Sequence, residues 1–220
     1  MNKLLNKIKK YVLDPDEPIN SFELGYQYEL MGHKASAMGY YLKCAELTDD
    51  KSLAYECLLR KAICMSSLNN RNVHVRNTCL LAIALLPSRP EAYYLISLAN
   101  ERDGAWQESY AWAVAGQHAS KLVDPSIVKS DRLITDVEYH GNFVLPFQEA
   151  VTLWWLGRFK DSIAKFKEVE QMDLTPDYVK HVKWNLENID KSTVKEENVT
   201  NDKDIILERL YDKFNKEKKQ

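Results

Sequence analysis

The feature that most constrains this chain is a recurring order of small and aromatic residues between Gly25 and Gly116. In the first unit Leu24, Gly25 and Tyr28 precede a turn glycine, Gly32, and Ala37, Tyr41 and Cys44 follow it. Gly25 and Ala37 fit the crossing point of two antiparallel helices, where only small side chains allow close approach. Gly32 can take the left-handed backbone angles that end a helix. The order returns as Tyr93, Ile96 and Ser97, the turn Gly104, then Ser109, Ala113 and Gly116. It returns again as Ala150, Leu153, Gly157, Phe159, Ser162, Phe166 and Val169. A weaker copy lies between the first two. There Ala62 and Met65 fit a first helix if Asn69 replaces the turn glycine, and Val75, Cys79, Ala82 and Pro87 fit the second helix with one extra turn residue.

Counted from turn to turn, 32 to 69, 69 to 104 and 104 to 157, the intervals are 37, 35 and 53 residues. The first two lie close to the tetratricopeptide period of about 34. Over roughly residues 18–190 the chain resembles that family. The expected fold is an all-α, right-handed solenoid of tetratricopeptide-like helix hairpins with terminal capping helices. A closer resemblance runs through YLKCAELTDD, LAYECLLRKAICM, AIALLPSRPEAYYLISLANERDGAWQESYAWA and AVTLWWLGRFKDSI. These segments look like the tetratricopeptide region that follows the catalytic domain in certain phage and bacterial nucleotide-sugar glycosyltransferases. The resemblance implies a shared helical region and an association with glycan or virion assembly. No stretch of this chain resembles the catalytic half, so no activity is carried over.

The solenoid is flanked by other elements. Residues 1–17 read as an amphipathic helix and linker, with Leu4, Leu5, Ile8, Tyr11 and Val12 on one face and Lys3, Lys7, Lys9 and Lys10 elsewhere. Such a helix can dock as a cap, enter a partner's groove or lie on an anionic membrane; docking is the first expectation. Residues 117–142 lengthen the last interval and read as an insertion crossing the surface, with β-favouring Leu133-Ile134 and Val137-Glu138-Tyr139. This insertion is the expected partner-selective element. After Pro176, Tyr178, Val182, Leu186 and Ile189 mark a capping helix. Residues 191–203 read as a flexible linker, and 204–220 as an amphipathic helix that docks within the chain or on a second copy.

The chemistry is bounded by what is missing. Of 220 residues 30 are basic and 32 acidic, a net charge of −2, which disfavours a nucleic-acid role. Cys44, Cys57, Cys64 and Cys79 form no CxxC pair and fit buried free thiols in a reducing compartment, so a cytoplasmic location is expected. No run of about 18 apolar residues offers a membrane span. No phosphate-binding, nucleophile-elbow or zincin motif occurs, and the five histidines lack ligand spacing. Asp14-x-Asp16 and Asp202-x-Asp204 match a glycosyltransferase metal motif in spacing but have no strand before them. They read as solvated linkers or helix starts. No enzyme activity, metal or cofactor is expected.

What remains is binding. In the family this chain resembles, the first helix of each pair lines the concave face. Counting back from the turns places Phe22, Tyr26 and Leu30, then Leu59 and Ile63, then Tyr94, Leu98 and Arg102, then Phe147, Val151, Trp154 and Trp155 on that face. The expected groove is aromatic and apolar with little charge, and suits an extended or helical protein segment. The expected function is a non-catalytic scaffold for protein partners, with possible self-association through the terminal helices. The alternatives are an accessory part of a glycosyltransferase and a structural component of a virion.

Overall fold

The structure, a computed structural model, describes residues 2–68, 71–121, 133–137 and 139–197. Among the described residues there are ten helices and no strand. They are α1 (Asn2–Leu13), α2 (Pro18–Leu30), α3 (Lys34–Leu47), α4 (Lys51–Ser66), α5 (Asn72–Leu85), α6 (Glu91–Arg102), α7 (Trp106–Lys121), α8 (Val144–Trp155), α9 (Phe159–Glu170) and α10 (Pro176–Glu197). Each helix packs on the next from α1 through α7, α7 packs on α8, and the series continues to α10. The first helices of successive hairpins also touch, α4 on α6 and α6 on α8, which makes them the inner row of the array. This is the expected all-α solenoid of helix hairpins.

The helix ends follow from the sequence. Pro18 and Pro176 stand at the first position of α2 and α10, where the missing N–H has no intrahelical partner to lose. Asp50 caps α4 by accepting hydrogen bonds from the N–H groups of Ser52 (2.8 Å) and Leu53 (3.4 Å). Three of the inner helices end alike. Gly32, Gly104 and Gly157 have φ of 80°, 72° and 72°, and the next residue's N–H reaches back to the carbonyl five positions earlier: His33 to Tyr28, Ala105 to Asn100 and Arg158 to Leu153, each at 2.9 Å. The fourth turn is different. α4 closes with Leu68 N–H on Met65 O, and Asn69, the expected turn residue, lies outside the described residues.

The small residues sit where the hairpins cross. Ser97 and Ser109 each donate a hydroxyl hydrogen bond to the other's carbonyl, at 2.8 and 2.9 Å, and Ser162 bonds Ala150 O at 2.8 Å. These bonds satisfy fully buried hydroxyls without widening the crossing. Gly116 is tighter: a Cβ there would lie 2.6 Å from Tyr93 Cβ and 2.7 Å from Leu145 Cδ1, so α7 passes α6 and α8 at a distance only glycine permits. Three clusters make up the core. The first gathers Phe22, Tyr41, Cys44, Cys57 and Cys64; the middle one Tyr55, Leu59, Val75, Cys79 and Ile96; the last Phe143, Val144, Phe166, Val169, Val182 and Ile189. Each large aliphatic or aromatic side chain so buried contributes about 1.5–3 kcal/mol.

The basic N-terminal helix docks on the first hairpin. Lys7 and Lys10 pair with Glu23 of α2 at 2.6 and 3.3 Å, and Tyr11 packs edge-on against Tyr40 at 5.2 Å while accepting a hydrogen bond from Lys43. Partial burial raises the Glu23 carboxyl, but the two lysines outweigh it and hold it below its ordinary value. Two expected boundaries move. α7 stays helical to Lys121, past the expected insertion start at 117, and α10 stays helical to Glu197, past the expected linker start at 191. The terminal helix expected at 204–220 and Asp202-x-Asp204 lie outside the described residues. Asp14 belongs to the turn after α1, where its carboxylate accepts the Glu17 N–H at 3.3 Å. No helix among the described residues is long and apolar enough to cross a membrane.

Candidate functional site

The centre of the inner face is polar, which corrects the apolar groove expected from the sequence. α4 turns Glu56 and Arg60, one helical turn apart, inward with only 1% and 6% of their surface exposed. Ionised groups this deep require charged or hydrogen-bonded partners. Their partners come chiefly from the insertion, 75 to 79 residues further along. The Glu56 carboxylate accepts the backbone N–H of Ile134 (2.5 Å) and of Thr135 (2.7 Å), and the Thr135 hydroxyl. Arg60 donates from Nε to Thr135 Oγ1 (2.8 Å), from Nη2 to the Asp136 carbonyl, and from Nη1 to Glu29 of α2 (3.2 Å). Tyr41 in turn donates to Glu29 at 2.5 Å, and the guanidinium lies 5.0 Å from the centre of the Tyr26 ring. Burial, with Glu29 as hydrogen-bond partner and neighbouring charge, pushes the Tyr41 phenol far above its ordinary value, so it remains a donor.

One residue on, Val137 is buried as a member of the middle core cluster. Tyr139 then lies edge-on to Tyr94 of α6 at 5.9 Å and touches both the middle and the last cluster. Burial pushes both phenols well above the ordinary tyrosine range. Residues 133–137 of the insertion therefore lie against the inner helices, part of them buried. Beside them opens a pocket of about 390 Å³ lined by Tyr26, Glu29, Leu30, Lys34, Arg60, Ile63, Cys64 and Asp136.

The residues expected on the concave face fall into different roles. Tyr26, Leu30 and Ile63 line the pocket. Phe22 and Leu59 are buried in the core, because the helix turns them toward the partner hairpin instead of the groove. Tyr94 meets Tyr139; Leu98 is half-buried. Arg102 is exposed and donates to Ser66 O at 3.3 Å, which ties α6 to the end of α4. Phe147 and Val151 pack against the last cluster, together with Trp154, whose buried indole N–H has no hydrogen-bond partner among the described residues. Trp155 is 48% exposed, stacks face to face on Trp106 at 4.6 Å and meets Trp154 edge-on at 4.6 Å.

Sequence reasoning passed over Glu29, Glu56 and Arg60. The available signal was Glu56 and Arg60, four residues apart on one face of the largely apolar YECLLRKAICM run, since charges on a buried helix face require partners. Among the described residues no group of three or more His, Cys, Asp or Glu is placed to hold a metal.

Helix hairpins in series, three closed by the same glycine turn, define an α-solenoid of helical repeats. The comparison with solved structures agrees. The chain is similar to MamA from Desulfovibrio magneticus RS-1 at 14% identity, over 76% of this chain and 82% of that chain, with a TM-score of 0.57. A second MamA structure matches at 15% identity over 79% and 87%, also at 0.57. At these identities the likeness is one of fold. No protein-family model matches the sequence, and no curated protein matches it.

Proposed function

We propose that this chain is a non-catalytic scaffold that binds a segment of a protein partner along the inner face of its repeats. The observation that carries the reading is the Glu56–Arg60 seat, which holds a chain by its backbone N–H and C=O groups. Main-chain recognition of this kind suits an extended peptide, with adjacent side-chain sites supplying selectivity. Tyr26 and the pocket beside it are such a site. The net charge of −2 gives no general attraction to nucleic acid. Four buried free thiols suit a reducing compartment, and a cytoplasmic partner is part of this reading.

Selection of displayed peptides on the immobilised full chain tests this. Enriched peptides should lose binding to a Tyr26→Ala chain that keeps its helical circular dichroism, and should keep binding to a chain changed at the exposed Leu81 of α5. A selection that enriches no sequence, or enriches sequences indifferent to Tyr26, overturns the proposal.

A further inference from the structure

Residues 133–137 occupy the inner face in the manner of a bound peptide. Only Val137 of these five residues is buried. Thr135 contributes its N–H and hydroxyl to Glu56 and accepts from Arg60; Ile134 contributes its N–H while its side chain stays 59% exposed; Leu133 packs on the edge of the middle core. The segment is thus fixed by polar bonds to two buried charges and by a single buried aliphatic side chain. We infer that it is an internal stand-in for an external ligand: an extended partner segment with aliphatic residues in the places of Leu133 and Val137 and Ser or Thr in the place of Thr135, which takes the Glu56–Arg60 seat when residues 133–137 leave it.

This rests on the reading of the inner face as the binding surface. The seat selects its occupant in two ways. Glu56 and Arg60 are too deeply buried to be left without partners, so only a segment offering two successive N–H groups, a hydroxyl and a carbonyl in the same places can replace the internal one. A chain lacking the hydroxyl leaves Arg60 Nε without its acceptor. The aliphatic residue two positions after the hydroxyl takes a place in the middle core, where Val137 now sits. The internal copy competes for the same groups, so the apparent affinity for the external segment falls by the fraction of chains whose seat is free.

The test uses a fluorescein-labelled peptide carrying residues 131–140 and fluorescence anisotropy with the full chain. Thr135→Pro in the chain removes an N–H and the hydroxyl from the internal copy alone; the labelled peptide should then bind at least about tenfold more tightly than it binds the unaltered chain. Thr135→Val keeps the backbone donors and should give an intermediate gain. It decides the matter if Thr135→Pro loses its helical circular dichroism. Adding Glu56→Gln should abolish the gain in either background, and a peptide with its own Thr135→Pro change should not bind. Equal binding to all chains, or a gain indifferent to Glu56, overturns the inference. If Tyr26-dependent peptides are still selected while the 131–140 peptide binds no variant, the scaffold reading stands and the internal stand-in is refuted.

Discussion

Substituting alanine at three helical glycines should give three different signs from one chemical change. In a helix interior alanine is favoured over glycine by about 1 kcal/mol through backbone entropy. Gly39 of α3 has nothing within 4 Å of an added Cβ, so Gly39→Ala should realise most of that gain, about 0.5–1 kcal/mol. At Gly25 the Cβ meets Tyr40 Cβ at 3.2 Å and both Ala37 O and Tyr41 Cδ1 at 3.3 Å, contacts that call for shifts of a few tenths of an ångström. There the gain and the strain should nearly cancel. At Gly116 the neighbours stand at 2.6 and 2.7 Å. Leu145 Cδ1 is a side-chain end and can swing away, but Tyr93 Cβ is fixed to the α6 backbone, so α6 and α7 must separate. Overpacking of that kind costs about 1–3 kcal/mol. The net loss should approach 2 kcal/mol, which in a chain of this size lowers the thermal midpoint by about 4–8 °C. Thermal and urea melts of the three variants, followed by circular dichroism, check the order Gly39→Ala above Gly25→Ala above Gly116→Ala. A Gly116→Ala chain as stable as the unaltered one would refute the close crossing and the reasoning built on it.

Other consequences can be measured as directly. Arg60→Ala leaves Glu29 and the Thr135–Asp136 acceptors facing no cation and should destabilise by about 3–5 kcal/mol, whereas Arg60→Met combined with Glu29→Gln should lose markedly less; equal losses in denaturant melts would count against the buried pair. Tyr55→Phe removes the hydroxyl that donates to Glu91 (3.1 Å) and accepts the Ala92 N–H (3.2 Å), for a loss of about 1–3 kcal/mol. Burial pushes the Cys64 and Cys79 thiols up to about 12 from 9.0, so both should resist alkylation near neutral pH until the chain unfolds. Since their folded values lie above the unfolded ones, the folded chain keeps these protons longer. Stability should therefore fall as pH rises from about 9 toward 12, and a chain with both cysteines changed to alanine should show a shallower decline.

The hairpin order was legible in the sequence because crossing points demand small residues and turns demand glycine. Gly25 with Ala37, Ser97 with Ser109 and Ala150 with Ser162 declare both at fixed spacing. Val182 and Ile189 likewise declare the buried side of the last helix. The seat was less legible for a physical reason. Hydropathy periodicity separates exposed from buried faces, yet an inner helix has two buried faces, one toward its own hairpin and one toward the groove. Phe22 and Leu59 therefore pointed to the wrong one, while Glu56 and Arg60 resembled solvated positions on a surface helix. What covers them lies more than 70 residues away in the insertion, where Thr135 and Val137 carry no local sign of their destination.

The bonds between α4 and residues 134–136 also alter how the molecule comes together. A plain helical-repeat array has contacts only within and between adjacent units, folds from wherever a hairpin first forms, and loses its repeats piecemeal. Here Glu56 and Arg60 are joined to partners 75 to 79 positions along the chain. Making those bonds requires closure of one long loop, whose entropy must be met before its contacts form. The second hairpin and the segment that follows the third are thereby tied into one block, whose polar bonds exist only while that long loop stays closed.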